Sequence, residues 1–505
     1  MHVPARGQRQ RSMPRLISLA VATPFGGLEP TLAALAAGTV AQGGLHEPLL
    51  VTWRRLLADL GAVDAILLAT TKGDLPLWSA AFPATSGVSA GSVHAGSPVA
   101  LARELGAVVV SGACASGPLA LGEAARMILS GRARRVAVLG GDRLGPFVHA
   151  GFAALRALDP DGCRPFARER QGLVLGEAAA AILVCANDEP DVRETDPWLT
   201  GWGASCDAHH LTGPARDGAG LATACRAALQ RAQMTAPGAI IAHGTGTRYN
   251  DAAEACAYAS VCPGVPVTAW KGIFGHTLGT CGVLEAALAT AIIRDQRALP
   301  GCARLLDSDV TLNLIQPGAH PFNGTLLSPN AGFGGLNGAV VIGRHAPTPL
   351  RHITPRLHHH VALPQPWGAL TARDVMGHGE PTWGRMDLPC RVLTALALRL
   401  GRLPPDTAIV LLTDSGCATS DQAFETARLA GHADAQRFTY TLPTTAIGEA
   451  SIRCGLHGTG FALLHASDAA GRATAAGLLA EGASAVLLAR VEADPPCAWA
   501  ELWTG

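Results

Sequence analysis

A chain of 505 residues with 48% hydrophobic and only 15% charged side chains, against about 25% charged in ordinary globular proteins, is composed to bury a large core. Lysine plus arginine equals aspartate plus glutamate at 39 each, so the formal net charge is zero and composition offers no electrostatic case for nucleic acid or an anionic membrane. No apolar run approaches the ~20 residues of a membrane span, and the thirteen cysteines contain no C-x-x-C pair, so they read as reduced thiols of a cytoplasmic enzyme rather than a disulfide framework or zinc site.

In chain order, Arg6, Arg9, Arg11 and Arg15 precede the apolar run 16–22, a superficial likeness to a secretion signal. The run is short and leaves into Thr23-Pro24-Phe25-Gly26-Gly27. Residues 1–13 therefore read as a disordered tail, with Met13 an alternative start, ahead of a first strand. Buried strands are expected at 63–69, 135–139, 178–185, 238–242 and 339–342, and helices at 28–39, 99–106, 118–131, 219–233 and 282–296. This alternation predicts a parallel-rich, layered α/β protein. Residues 346–390 are rich in proline and histidine and carry no periodicity, so they read as a linker. His358, His359 and His360 within it read as a solvated loop rather than a metal site. From 391 to 505 the α/β pattern resumes and echoes the first part of the chain: 406–413 parallels 63–70, and 475–488 parallels 124–137. Aligning Gly482 with Gly131 without gaps sets His465 opposite Cys114, so the second copy lacks the nucleophile.

Cys114 stands where the apolar run 108–110 breaks at small residues before the helical spacing of 119–129. On a strand-to-helix turn the helix dipole favours thiolate, the nucleophilic form. Taken alone, a cysteine flanked by apolar residues is more often an inert part of the core. Three distant loops change that balance. His243-Gly244-Thr245-Gly246-Thr247 ends a strand and is followed by Asp251 and Glu254. Lys271 and His276 share a glycine-rich loop, with Glu285 nine residues beyond the histidine. Gly332-Phe333-Gly334-Gly335 precedes a further strand. Loops adjoining strand ends are where sites of layered α/β proteins are built.

Taken in order, GACASG, HGTGT, K-x-x-x-G-H-x-x-G and GFGG resemble the β-ketoacyl synthase branch of the thiolase-like superfamily, the condensing enzymes of fatty-acid and polyketide synthesis. Arg164-Pro165-Phe166, Gly172 and Gly176-Glu177 match a further stretch of that family, and the likeness covers residues 14–345. It implies a thiolase-like layered αβαβα fold of two pseudo-repeated halves, 14–187 carrying the nucleophile and 188–345 carrying the His/Lys/His loops. Residues 391–505 add a third, partial α/β half-domain that resembles the first half without its cysteine.

The implied reaction is a decarboxylative Claisen condensation. Cys114 would hold the acyl group as a thioester, and His243 and His276 would both donate to the enolate left when a malonyl thioester loses carbon dioxide. The resemblance makes the backbone N–H groups of Cys114 and Phe333 the oxyanion donors, with Phe333 also a gate. It makes Lys271 an electrostatic orienter held by Glu285, and Asp251, Glu254 and Glu177 supporting residues. It implies no cofactor and no metal. Asp307-Ser308 is followed by Asp309 and not leucine, so the phosphopantetheine is expected on a separate acyl carrier protein acting in trans. A homodimer, or a heterodimer with another synthase-like subunit, is the expected assembly.

The chain departs from the family in several places. Residues 70–111 are short of the usual helical excursion, Gly176-Glu177 continues into three alanines, and Ala331 replaces a common phenylalanine. Cys281 stands where a small residue is common and reads as packing. Two rival functions stay open: a non-elongating acyltransferase of the same fold, and a non-catalytic chain-length or scaffold partner of another synthase.

Overall fold

The strand-forming runs assemble into one 16-stranded sheet in the computed structural model, which describes residues 12–82, 94–302, 308–493 and 495–505. The first five strands are β1 (Pro14–Ala22), β2 (Ala65–Ala69), β3 (Val108–Ser111), β4 (Arg135–Asp142) and β5 (Ala178–Ala186). The next eight are β6 (Trp198–Cys206), β7 (Ala239–Ile241), β8 (Pro266–Thr268), β9 (Leu299–Pro300), β10 (Asn313–Leu314), β11 (Ala319–His320), β12 (Leu326–Gly332) and β13 (Leu336–Gly343). The last five are β14 (Arg356–Ala362), β15 (Ala408–Leu412), β16 (Gly460–Leu464), β17 (Ala485–Ala493) and β18 (Pro496–Thr504). Their order is β10-β8-β7-β12-β13-β6-β1-β5-β4-β2-β3-β16-β15-β17-β18-β14, while β9 and β11 pair separately.

The sheet is mixed rather than parallel-rich. β2 runs parallel to β3 and β4, but β5 returns antiparallel to β4 and β1, and β13 returns antiparallel to β12 and β6. The buried all-apolar runs that suggested parallel strands arise because helices cover both faces, whichever way the strands point. On one face the helices Ser116–Leu129 and Cys281–Arg294 pack against each other and the sheet, and nearly every residue of both is buried.

The strand order reads as a mirror about the β3–β16 junction. Outward from β3 come β2, β4, β5 and β1; outward from β16 come β15, β17, β18 and β14. At the junction the two strands run antiparallel, with Ser111 opposite Ala462 and Val109 opposite Leu464. The same turn device recurs on both sides. Asp142 accepts the N–H groups of Thr71 (2.9 Å) and Lys72 (2.7 Å) after β2, and Glu492 accepts those of Asp414 (2.6 Å) and Ser415 (3.0 Å) after β15.

Two expectations are corrected by this arrangement. The stretch 346–390 is not only a linker: it contains β14, the outermost strand of the second copy, which pairs with β18 and carries His358, His359 and His360. The gapless alignment of the repeat is also displaced by one residue. Ala113 and His465 are the paired left-handed residues (φ 52° and 59°), and each precedes by three residues a helix of 14 residues, Ser116–Leu129 and Asp468–Glu481. Ala466, not His465, therefore occupies the position of Cys114.

The two copies share one core. Val110, Leu412, Leu463 and Leu478 belong to the same buried cluster. Between the paired helices, buried Arg126 bridges Glu123 (3.1 Å) and Glu481 (2.9 Å), and Thr474 donates to Glu123 (2.8 Å). Lys72 reaches across to Asp421 and the Thr441 carbonyl. A chain ended at residue 345 would uncover the β3 edge and this charge network, and exposed strand edges seek partners. We expect that fragment to self-associate or precipitate, as measured by size-exclusion chromatography with light scattering. A soluble monomer with an unchanged melting temperature would contradict the shared core.

Candidate active site

The turn that carries Cys114 is set by small residues and one hydroxyl. After β3, Ala113 takes a left-handed conformation, and the Ser116 hydroxyl accepts from the Gly112 N–H (2.9 Å) and donates to the Ala113 carbonyl (2.6 Å). Gly332 in the β12–β13 hairpin lies so close that a Cβ there would stand 2.5 Å from the Gly112 carbonyl oxygen. Behind the turn, a Cβ on Gly117 would stand 2.6 Å from the backbone nitrogen of Val283. These contacts leave Cys114 only 7% exposed. Burial pushes its thiol well above the ordinary range, with Cys281 and Asp142 adding to the effect and Lys271 opposing it. Desolvation therefore opposes the helix terminus, favouring the thiol where the dipole favours the thiolate.

His243 follows β7 and His276 follows the short helix Lys271–Phe274, and the two rings face each other edge-on with centroids 5.2 Å apart. His243 Nδ1 lies 3.2 Å from Asn330 Oδ1. Asn330 Nδ2 donates to Glu285 Oε2 (2.9 Å), the Ser328 hydroxyl donates to the same oxygen (3.2 Å), and Lys271 Nζ donates to Glu285 Oε1 (2.7 Å). Burial works against the Lys271 charge, but Cys281 and Glu285 outweigh it and raise its pKa. His276 Nδ1 accepts from the Leu278 N–H (3.2 Å) and lies 3.2 Å from Cys281 Sγ. Cys281 is thus a neighbour of the chemistry and not packing alone. Burial and then the Lys271 charge push His276 down to about 3, and burial, Lys271 and His276 push His243 well below the ordinary value. Both imidazoles are neutral.

The other expected residues hold loops. Glu254 accepts from the Gly244 N–H (2.8 Å) and the Tyr258 hydroxyl (2.6 Å), and burial, then Asp251, pushes it up to about 8. Asp251 accepts from the Phe166 N–H (2.7 Å) and lies against Arg170. Glu177 accepts the N–H groups of Leu45 and Leu144, both at 2.6 Å, and stands apart from the cluster.

Cys114, His243, His276 and Phe333 line one cavity of about 620 Å³, with Ala331 beside them. Phe333 packs on Phe152 (5.8 Å between centroids), which packs on Phe438 of the second copy (5.5 Å). Toward solvent the wall carries Arg156, Arg216, Arg248 and Tyr249, the last 76% exposed. The sequence reading passed over these four and Asn330; the one available signal for Asn330 was its place two residues before Gly332.

The N-terminal and C-terminal domain models of β-ketoacyl synthases match residues 88–189 and 198–303, the segments that carry Cys114, His243, Lys271 and His276 but not the Phe333 loop. Over these two segments the chain is similar to β-ketoacyl synthases. Among curated relatives, it is similar to 3-oxoacyl-[acyl-carrier-protein] synthase 2 of Staphylococcus aureus (strain COL), 31% identical over 247 residues that cover 45% of this chain and 59% of the relative. The chain thus spans about three-fifths of the length of that relative. Among solved structures, a β-ketoacyl synthase from Burkholderia phymatum STM815 is 24% identical with a TM-score of 0.57, covering 66% of this chain and all of that one. The PfaC keto synthase–chain length factor is 13% identical with a TM-score of 0.71, covering 98% of this chain and 78% of that one. These two likenesses establish the thiolase-like fold.

In this chain a histidine held neutral by burial stabilises the fold above its unfolded pKa of about 6.5, and that contribution is lost as pH falls toward about 3. Between pH 7 and pH 5, His276 alone should therefore cost about 2 kcal/mol. We expect the wild-type melting temperature to fall more steeply over that range than that of His276→Asn, as measured by thermal scans in matched buffers. Parallel curves would contradict the neutral imidazole.

Proposed function

We propose that this chain is a β-ketoacyl-[acyl-carrier-protein] synthase that condenses a Cys114-bound acyl chain with a malonyl unit. The observation that carries the reading is a single cavity in which one buried thiol meets two neutral imidazoles, backed by the Lys271–Glu285–Asn330 chain. The Cys114 sulfur attacks the acyl thioester of a carrier, forming a new C–S bond while the carrier sulfur leaves and takes up the thiol proton. A malonyl thioester then enters, its C–C bond to the carboxylate breaks, and carbon dioxide departs. The electron pair left behind is held as an enolate by an imidazole N–H. Its carbon attacks the acyl carbonyl on Cys114, the C–C bond forms, the C–S bond breaks, and the thiolate takes up a proton from water. No helix among the described residues is long and apolar enough to cross a membrane. With thirteen free thiols, the cytoplasm is the compartment we assign.

The carrier acts in trans and would dock where Arg156, Arg216 and Arg248 stand at the cavity wall. The second copy, β14–β18, takes the part of a chain-length-factor-like partner fused to the synthase. The mirrored strand order supports this, as does the likeness of almost the whole chain to a keto synthase–chain length factor structure. Because β16 occupies the β3 edge, that edge is closed from within the chain, and a homodimer or a heterodimer with another synthase-like subunit would form through another surface.

Incubation with acyl- and malonyl-carrier protein should release carbon dioxide and yield a 3-oxoacyl carrier two carbons longer, detected by mass spectrometry. Acyl transfer without elongation would instead favour the acyltransferase. Absence of both would favour the scaffold.

A further inference from the structure

Only two of the 39 lysine and arginine residues in this chain are lysines. Lys271 is paired with Glu285 at the active site. Lys72 has no part there. It lies in the turn after β2 whose N–H groups Asp142 accepts, and its amine crosses into the second copy. Its Nζ pairs with Asp421, donates to the Thr441 carbonyl and stands 5.2 Å from the centre of the Phe147 ring. A guanidinium could grip such a carboxylate with two bonds, as Arg428 grips Glu425 and Arg297 grips Glu29. A primary amine offers what a guanidinium cannot: once it gives up a proton it carries a nucleophilic lone pair.

The third member of the cluster is Cys417, at the N-terminal end of the helix Ala418–Leu429 in the second copy. Its Sγ lies 3.8 Å from Lys72 Nζ, 3.6 Å from both oxygens of Asp421 and 2.8 Å from the Thr441 carbonyl oxygen. Lys72 is buried, whereas Cys417 is half-buried. All three side chains line a cavity of about 50 Å³ between the copies, with Ser111 and Leu464 among its other walls. A water molecule needs about 10–15 Å³ of such space, so a molecule of two heavy atoms fits. Burial and then Asp421 push the Cys417 thiol well above its ordinary range. Desolvation works against the Lys72 charge, but Asp421 and Cys417 outweigh it and raise its pKa. Both groups therefore carry their protons at rest. Burial also raises Asp421, against the opposing pull of Lys72, so its carboxylate is ready to receive the proton that the amine must lose.

We propose that Lys72 and Cys417 form an oxidative cross-linking site, at which dioxygen joins the two copies through a single oxygen atom as Nζ–O–Sγ. Asp421 takes the ammonium proton. The Sγ–H bond and one Nζ–H bond of the neutral amine then break, one oxygen atom bonds to both sulfur and nitrogen, and the other leaves as water with those two hydrogens. Sulfur and nitrogen lose two electrons each, and dioxygen takes up all four. A dithiol reductant reverses the link, returning thiol and amine and releasing the bridging oxygen as water. The link ties residues 345 positions apart, across the junction that β3 and β16 already close. It holds the copies together whatever reaction the Cys114 cavity performs, so it does not rest on the condensing-enzyme reading.

The test divides the full wild-type chain into an anaerobic sample with dithiothreitol and a sample held in air-saturated buffer. Both are digested with trypsin without further reductant and mapped by mass spectrometry. In air we expect a linked pair of peptides holding Lys72 and Cys417, heavier than their sum by one oxygen less two hydrogens. Dithiothreitol should return it to the separate peptides. Cys417→Ser and Lys72→Arg should each abolish the pair. The air-held wild type should melt several degrees above its reduced form, a gap that Lys72→Arg closes. Should the variants fail to fold, the wild-type peptide maps still decide. Oxygen added to Cys417 with Lys72 unlinked, a link made by Lys271 in its place, or identical maps from the two samples would overturn the proposal.

Discussion

Everything at the site depends on backbone meeting backbone where no Cβ fits. The hairpin holding Phe333 reaches the Cys114 turn only because Gly332 has no side chain to strike the Gly112 carbonyl. The helix behind Cys114 reaches the helix after His276 only because Gly117 meets Gly282 and Val283. Such contacts bring loops from two halves of the chain within reach of one thiol, and they exclude water in doing so. Exclusion of water then sets the chemistry. It favours the thiol at Cys114 and keeps both histidines neutral, and it makes each surviving hydrogen bond worth more than it would be in solvent.

The same economy of space explains the second copy. A sheet edge at β3 lies beside Cys114, and leaving it open would expose Val109 and Val110, both fully buried. Here β16 closes it from within the chain, and the repeated Asp142 and Glu492 turn anchors show that both sides are built alike. The copy brings no cysteine to the position of Cys114, which Ala466 fills. What it brings instead are Phe424 and Phe438, which pack on Phe147 and Phe152 next to the cavity wall.

Much of this was legible in the sequence because glycine-flanked motifs mark Cys114, His243, His276 and Phe333, and apolar runs mark the strands between them. The rest needed distance. Lys271 and Glu285 are near in sequence, but the Asn330 link between Glu285 and His243 spans 87 residues on one side and carries no local pattern. β14 was hidden because an exposed edge strand reading Arg-Leu-His-His-His-Val-Ala has no buried face to impose alternation. The repeat slipped by one because Gly482 caps its helix directly, whereas Ser130 intervenes before Gly131. The burial that opposes the Cys114 thiolate was not legible either, because helix dipoles are visible in sequence and burial is not.

The central claim is that, of thirteen free thiols, one is the acyl acceptor. Peptide-level mass spectrometry after brief exposure to an acyl-carrier donor tests it most directly. The account predicts the acyl mass on the peptide holding Cys114 and its loss in Cys114→Ala. Acyl groups on the Cys281 or Cys417 peptides with Cys114 unmodified would contradict it.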